Sequence, residues 1–240
     1  MNPDFFFEKK LWKKGFKVIA GVDEVGRGSF AGPVVAAACA FAPISNYQFL
    51  IINERGEKII INDSKKLTAR QREISGKWIK ENTVTWGIGE VSAGLINRVG
   101  MAKATKMAFR RAIADASLKL EAEGKKQIDF LLIDAFYIPH VAGLRRKNQL
   151  AIINGDQKSF SIAAASIIAK VYRDKLMQKI SKNPEFQVYK WGKNKGYGTK
   201  EHQEAILKYG ITRYHRRKFI RTFMQNLKVK AKSEKPTANL

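Results

Sequence analysis

The sequence has few cysteines, histidines and acidic residues. Its 240 residues include one Cys, three His and 21 Asp and Glu. A single cysteine cannot close an intramolecular disulfide or supply a cysteine-rich zinc site, which excludes a disulfide-stapled secreted scaffold and a zinc ribbon. The longest apolar run, Pro33 to Pro43, is far shorter than the roughly 20 residues of a membrane-spanning helix. The charged N-terminus lacks the layout of a signal peptide. We therefore expect a cytoplasmic protein in a reducing compartment, without a membrane partner.

Positive charge is what the sequence has in excess. The 45 Lys and Arg give a formal net charge of +24, and the segment Lys190 to Leu240 holds 14 of them against 3 acids. Each Lys or Arg that neutralises a phosphate releases counterions, so a basic folded domain favours a polyanionic partner. Nucleic acid is the first hypothesis, and an anionic membrane surface or another polyanion is the alternative. Residues 228–240, rich in Lys and poor in apolar residues, are predicted to be a disordered basic tail.

Short apolar runs alternate with helical periodicity along the rest of the chain. Buried strands are predicted at Val18–Val22, Val34–Phe41, Ile59–Ile61, Thr83–Val91, Phe130–Ile133 and Ala151–Ile153. Helices are predicted at Thr68–Lys80 with Thr68 as the N-cap, Met101–Leu120, Phe160–Ile180, Thr199–Lys208 and Lys218–Asn226. This alternation is typical of an α/β fold with a mixed central sheet flanked by helices. The lone Cys39 is expected in its core.

Carboxylates follow three of the predicted strands. Asp23 and Glu24 follow the first strand, and Asp134 and Asp156 follow two later ones. Ligand sites in α/β sheets gather at strand ends, so these acids are candidates for one shared site. The alternative for any single Asp in such a place is a turn or a helix cap.

Several motifs stand in a fixed order around these acids. They are Gly21–Pro33, with its glycines around an acidic pair and an arginine, Asn62–Leu67, Gly155–Asp156 followed by Ala163–Asp174, Lys195–Tyr197 and Tyr214–Arg217. In these motifs the chain resembles ribonuclease HII, the type 2 ribonuclease H family. The resemblance runs from about Val18 to Phe219. It implies a ribonuclease H-like catalytic domain at 18–190 and a C-terminal helical substrate-binding region at 191–227, after an N-terminal extension at 1–17.

The resemblance also implies a catalytic site. It carries the family's acidic tetrad onto Asp23, Glu24, Asp134 and Asp156, which would hold two divalent ions, Mg²⁺ or Mn²⁺. Crowded carboxylates raise one another's pKa unless a hard cation neutralises them. Two ions about 4 Å apart can activate a water and stabilise the leaving oxygen. The implied monomeric enzyme is an endonuclease that leaves a 3′-hydroxyl and a 5′-phosphate. It would hydrolyse RNA in RNA–DNA hybrids and nick duplex DNA 5′ to an embedded ribonucleotide, a DNA repair function.

A second set of residues is implied to bind the substrate. In the family the Gly-Arg-Gly turn meets the ribose 2′-hydroxyl through backbone groups, a tyrosine packs on the sugar at the junction, and Ser and Lys side chains contact phosphates. Carried onto this sequence, the set is Gly26, Arg27, Gly28, Lys65, Lys66, Ser166, Lys170 and Tyr197. The alternatives are an ordinary tight turn, a solvated lysine face and a tyrosine that only packs.

Some positions depart from the family pattern. Ala135 stands where the family commonly has Gly, and Asn194 where many members have His. For Asp174 two roles stay open, an ion pair with Lys170 one helical turn away and a metal contact, whereas His215 is expected to be structural. Two alternative functions stay open: a basic nucleic-acid-binding module without catalysis, and a ribonuclease restricted to hybrids.

Overall fold

A five-stranded mixed sheet forms the centre of the computed structural model, which describes residues 2–43, 51–52 and 56–233. Its strands are β1 (Ile19–Val25), β2 (Val34–Ala40), β5 (Thr85–Val91), β6 (Phe130–Asp134) and β7 (Gln149–Ile152). The order is β5-β2-β1-β6-β7, with β1 parallel to β6 and antiparallel to β2. Two short strands, β3 (Ile51–Ile52) and β4 (Lys58–Ile59), pair separately. Since β2 is antiparallel to both neighbours, β1, β5, β6 and β7 all end at the same edge.

The helices confirm the predicted α/β pattern. They are α1 (Phe6–Lys13), α2 (Ala69–Asn82), α3 (Ala93–Val99), α4 (Met101–Ala122), α5 (Phe160–Ser181), α6 (Trp191–Asn194), α7 (Lys200–Tyr209) and α8 (Arg217–Ser233). The Thr68 side chain caps α2, as the sequence predicts, and it also forms a capping box with Gln71. None of the described helices combines the length and the apolarity that crossing a bilayer requires.

Of the boundaries that differ from the sequence prediction, two bear on the candidate site and on the predicted tail. Strand β1 continues to Val25, because its pairing with β2 extends to Val35, so Asp23 and Glu24 lie within the strand rather than after it. Helix α8 continues to Ser233, so residues 228–233, predicted to be disordered, are helical. The remaining residues of the predicted tail, 234–240, lie outside the described residues.

Helices cover both faces of the sheet. Helix α4 packs on one face through small residues, and α5 with α2 covers the other. Every residue of β2 is buried, and Cys39 is fully buried, which confirms its core position. A Cβ at Gly21 would lie 2.2 Å from the carbonyl carbon of Ser161. Strand β1 therefore touches the backbone of the first turn of α5, which only glycine permits.

A buried histidine pair lies among the C-terminal helices. Trp191 Nε1 donates to His202 Nε2 (3.0 Å), and His202 Nδ1 donates to the Tyr197 carbonyl (2.8 Å). His215 Nδ1 accepts from the Thr212 amide (2.9 Å), and its Nε2 lies 3.2 Å from His202 Nε2. Burial lowers the pKa of both imidazoles, that of His215 to about 4. Both rings are therefore neutral structural members of this core.

The N-terminal helix is fixed to the start of α5 by a buried carboxylate. Glu8 is 1% exposed, and its Oε1 accepts from the hydroxyls of Ser159 (2.6 Å) and Ser161 (2.6 Å) and from the Ser161 amide (3.0 Å). A short parallel bridge joins Asp4 to Ser159. A negative charge at a helix N-terminus is stabilised by the helix dipole and by free N–H groups. Burial nevertheless raises the pKa of Glu8.

Candidate active site

The four predicted acids come together at the shared C-terminal edge of the sheet. Asp23 and Glu24 lie near the C-terminal end of β1, just before Val25, and Asp134 is the last residue of the adjacent parallel strand β6. The register pairs Val22 with Ile133, which sets Asp23 beside Asp134. Asp156 lies in the 3₁₀ turn Gly155–Gln157 after β7. Parallel strand order thus collects side chains that are more than 100 residues apart in sequence.

The Asp156 turn is attached to Asp134. The Gly155 amide donates to Asp134 Oδ1 (2.7 Å), so the loop after β7 closes onto the end of β6. Burial is the main cause of the raised pKa of Asp156, and the charges of Asp63 and Asp134 raise it further. Asp63 therefore lies close enough to Asp156 to act on its carboxyl group.

Asp23 and Glu24 form an electrostatically strained pair. Burial raises the pKa of Asp23 well above its ordinary value, and the neighbouring charges of Glu24 and Asp134 add to the effect, while a hydrogen bond from Ser166 opposes it. Burial also raises the pKa of Glu24, against the lowering effect of Arg27, whose guanidinium lies 3.1 Å from Glu24 Oε1. Carboxylates with raised pKa values crowded at a strand end are typical of functional sites.

The donor set fits a hard divalent cation. Glu24 Oε2 is buried and has no hydrogen-bond partner within the described residues, so a buried oxygen is left for a ligand. Carboxylate oxygens are the donors that Mg²⁺ and Mn²⁺ prefer. Among the described residues, no three His, Cys, Asp or Glu side chains are already arranged to hold a metal ion.

Two buried arginines shape the loop that follows β1. Arg173 is fully buried and donates to Pro33 O (2.9 Å), Ala31 O (3.1 Å) and Ser29 Oγ (3.0 Å). It also fills the space beside Gly26, whose φ is +89° and where a Cβ would lie 2.2 Å from Arg173 Nε. Only glycine fits this position. The loop is thereby locked onto α5.

Arg216 fixes the direction of the peptide groups in the Gly26–Gly28 turn. Its Nη1 donates to the carbonyl oxygens of Gly26 (2.6 Å) and Arg27 (2.9 Å). The described peptide bonds are all trans, so the N–H of each peptide points opposite to its C=O. The amides of Arg27 and Gly28 therefore point away from Arg216, and both residues are exposed. The turn presents backbone donors at its surface.

The other predicted substrate residues border this site in different ways. Lys65 and Lys66 are exposed in a 3₁₀ turn capped by Asp63, and Lys65 is near enough to lower the pKa of Asp156. Ser166 is buried, with its hydroxyl 2.9 Å from that of Ser64. Lys170 binds Asp174 (2.8 Å), the ion pair that their spacing allows.

Tyr197 is half-buried beside the same group of side chains. Lys170 Nζ lies 5.7 Å and the Arg173 guanidinium 5.5 Å from the centre of its ring. The Tyr197 carbonyl accepts from His202, which ties the residue to the buried histidine pair. The ring is therefore held in place, with part of its surface exposed to solvent.

The departures from the family pattern have local explanations. Ala135 has φ +66°, a left-handed conformation that glycine adopts more easily, and its amide donates to Ile152 O (3.0 Å). Asn194 is buried, donates to Tyr189 O (2.8 Å) and accepts from the Gly196 amide (2.9 Å). It thus supports the turn that precedes Tyr197.

Sequence reasoning missed the roles of Asp63, Arg173, Arg216 and Glu8. The first three stand inside quoted motifs, but nothing in the sequence reveals that these charged residues are buried. Glu8 lies in the extension, where no motif was recognised.

Comparisons with known proteins agree with this architecture. The sequence model of the family Ribonuclease HII matches residues 20–225. The chain is 43% identical over 220 residues to a "Ribonuclease HII" from Caldanaerobacter subterraneus subsp. tengcongensis, covering 92% of this chain and 81% of the relative. It is 46% identical over 218 residues to a "Ribonuclease HII" from a Wolbachia of Drosophila simulans, covering 90% and 95%.

Solved structures show the same fold. The ribonuclease H2 from Pyrococcus horikoshii superposes with a TM-score of 0.59 at 22% identity, over 88% of this chain and 99% of that one. Bst-RNase HIII in complex with Mn²⁺ gives 0.59 at 17% identity, over 81% and 63%. The predicted ribonuclease H-like fold is confirmed. On its fold and on the match across most of its length, the chain belongs to the ribonuclease HII family.

Proposed function

We propose that the protein is a metal-dependent endonuclease that hydrolyses RNA in RNA–DNA hybrids and nicks duplex DNA 5′ to an embedded ribonucleotide. The observation that carries the proposal is the gathering of Asp23, Glu24, Asp134 and Asp156 at one sheet edge, beside an exposed turn of backbone donors. Membership of the ribonuclease HII family supports the same chemistry. The products would be a 3′-hydroxyl and a 5′-phosphate, and the cellular role ribonucleotide removal from DNA by a cytoplasmic monomer.

The four acids would hold two divalent ions, Mg²⁺ or Mn²⁺. Bound there, such ions activate a water and neutralise charge at the scissile phosphate. Glu24 is the best-prepared ligand, because its buried Oε2 has no partner within the described residues. Asp134 is oriented by the Gly155 amide and Asp23 by the Ser166 hydroxyl. A related solved structure, Bst-RNase HIII, is in complex with Mn²⁺, which supports the choice of metal.

Selectivity for a ribonucleotide would come from backbone groups. The amides of Arg27 and Gly28 are turned outward by Arg216, so they are available to a ribose 2′-hydroxyl or to the adjacent phosphate. The 2′-hydroxyl is the group that separates RNA from DNA at one position. The Tyr197 ring, held beside Lys170, would pack on the neighbouring sugar. Lys65, Lys66, Ser166 and Lys170 would border the phosphates.

A nicking assay tests the proposal. A labelled DNA duplex with one ribonucleotide is incubated with the protein and Mg²⁺ or Mn²⁺, next to an all-DNA duplex and an RNA–DNA hybrid. We expect a single nick 5′ to the ribonucleotide and no cut in the all-DNA duplex. The matched variant Asp23→Asn keeps the side-chain shape but removes a charge, and should be inactive. A parent that does not nick, or an equally active Asp23→Asn variant, would contradict the proposal.

A further inference from the structure

A basic cleft lies between α3 and the segment that leads into α8. Its volume is about 550 Å³, and its lining includes the guanidinium-bearing side chains of Arg98, Arg213 and Arg217. No acidic residue lines it within the part of the chain that the structure describes. The three arginines are exposed. A concave site with three guanidinium groups and no carboxylate is suited to an anion that accepts several hydrogen bonds.

Among the described residues, the arginines of this cleft have no carboxylate partner. Within 2–43, 51–52 and 56–233, no carboxylate forms an ion pair with Arg98, Arg213 or Arg217. Other exposed cations of the protein do have such partners, for example Lys193 with Glu201 (3.1 Å). Three unneutralised charges around one cavity repel one another, and a bound anion would remove that repulsion.

The walls of the cleft are braced. Asn97 Nδ2 donates to the His215 carbonyl (3.0 Å), and Asn97 Oδ1 accepts from the Arg217 amide (2.8 Å). One side chain of α3 thus holds the chain on both sides of Arg216. The arginines are presented from a fixed backbone, which reduces the entropy lost when a ligand binds.

The cleft lies on the same side of the molecule as the carboxylates. Helix α3 begins at Ala93, just after β5 ends at Val91, and β5 runs parallel to β1, which carries Asp23 and Glu24. The connection is direct at Arg216, which binds the carbonyls of Gly26 and Arg27 while its neighbour Arg217 lines the cleft. The cleft and the Gly26–Gly28 turn are therefore linked through two consecutive residues of the chain.

We propose that this cleft binds a backbone phosphate of the duplex that flanks the cleavage position. The inference rests on the proposed function because it takes the same duplex as the ligand, but it does not require that the protein cleaves this duplex. Arg98, Arg213 and Arg217 would donate to phosphate oxygens and fix the duplex in register with the Gly26–Gly28 turn. Such contacts carry no base information and position the nucleic acid.

Binding measured without divalent ions tests the cleft separately from cleavage. The Kd of the parent for a ribonucleotide-containing duplex is measured by fluorescence anisotropy at several salt concentrations, next to Arg98→Gln, Arg213→Gln and Arg217→Gln. Each lost phosphate contact should weaken binding and lower the slope of log Kd against log salt by about 0.9. Lys126→Gln is the matched control, because Lys126 is exposed before β6 at the opposite edge of the sheet.

Additional substrates and competitors in the same binding assay identify the ligand and show on which side of the ribonucleotide it lies. Trimming the duplex on one side of the ribonucleotide should abolish the effect of Arg213→Gln, while trimming the other side should not. Arg213→Lys should retain most of the slope, which separates the loss of charge from a loss of fold.

Slopes for the three Arg→Gln variants equal to that of Lys126→Gln would overturn the proposal. So would inorganic phosphate that competes at the cleft as strongly as duplex, because the cleft would then be a site for free anions. If the parent binds with the expected slopes but does not nick, only the proposed function fails.

Discussion

The buried histidine pair makes the stability of the protein depend on pH in a defined direction. His215 Nδ1 accepts from the Thr212 amide, so the one proton of the neutral ring lies on Nε2, facing His202. A second proton on Nδ1 would break the contact with Thr212 and place a charge in the core. Burial therefore lowers the pKa of His215 to about 4 from its ordinary 6.5. Lowering the pH should therefore reduce the free energy of unfolding, because the unfolded chain takes up this proton more readily than the folded chain.

The size of the effect follows from the two pKa values. Above pH 6.5 the ring is neutral in both the folded and the unfolded chain, so the stability is fully present. As the pH falls, the unfolded chain binds the proton first, and stability is lost until about pH 4. The complete loss is about 3 kcal/mol, of which about 2 kcal/mol falls between pH 7 and pH 5. His202, whose pKa is also lowered, acts in the same direction.

Urea unfolding of the parent and of His215→Asn at pH 7, 6 and 5 measures this term. Asparagine retains an acceptor near the Thr212 amide but does not titrate, so the variant should be less stable at pH 7 and lose less on acidification. His140→Asn is the matched control, because His140 is exposed and its φ of +55° suits asparagine. Acids with raised pKa values such as Glu8 shift stability in the opposite sense, but they are common to all three proteins.

The decisive quantity is the difference between parent and variant. We expect the parent to lose about 2 kcal/mol more than His215→Asn between pH 7 and pH 5. If both lose the same amount, or if His140→Asn flattens the profile equally, the neutral buried His215 is refuted.

Six further substitutions have expected outcomes. Asp23→Asn should abolish nicking yet raise the unfolding free energy by about 1 kcal/mol in metal-free urea titrations, because it removes a repelled buried charge. Gly26→Ala should lower the free energy of unfolding by about 1–3 kcal/mol in urea titrations, because its positive φ strains any other residue. Gly28→Ala, which has open space for a Cβ, should unfold at the parent's urea midpoint. Ala135→Gly should raise the thermal midpoint slightly, through relief of about 1 kcal/mol of backbone strain. Glu8→Ala should lower the urea midpoint through a loss of about 1–3 kcal/mol of unfolding free energy, and Glu8→Gln through a smaller one.

The sequence predicts the framework of the fold because the elements that build it are locally encoded. Met101–Ala122 shows its helical periodicity directly, and Thr68 marks the start of α2 by its cap. The end of β1 is not encoded in this way, since its last residues are paired with β2 only in the folded chain. Helix α8 likewise extends beyond Lys228 although the sequence there looks polar and unstructured.

The residues of the candidate site are predicted from sequence motifs, but the contacts that support them cannot be predicted from those motifs. Asp23 and Asp134 are 111 residues apart, so their contact depends on strand order, which no local pattern states. Arg173 and Arg216 look like ordinary surface cations in a chain with 45 Lys and Arg. Only the structure shows that each is fully buried and bonded to backbone carbonyls. The dense positive charge hides the few cations that shape the site.

The contact between Gly21 and Ser161 limits how this site can change during evolution. Gly21 is two residues before Asp23, and Ser161 is five residues after Asp156, so two of the proposed metal ligands are carried by segments whose backbones touch. Neither segment can shift along its axis without breaking this backbone contact. We therefore expect altered selectivity, in natural descendants or in the laboratory, to arise in loops and surface clefts, because this backbone contact fixes the spacing of Asp23 and Asp156.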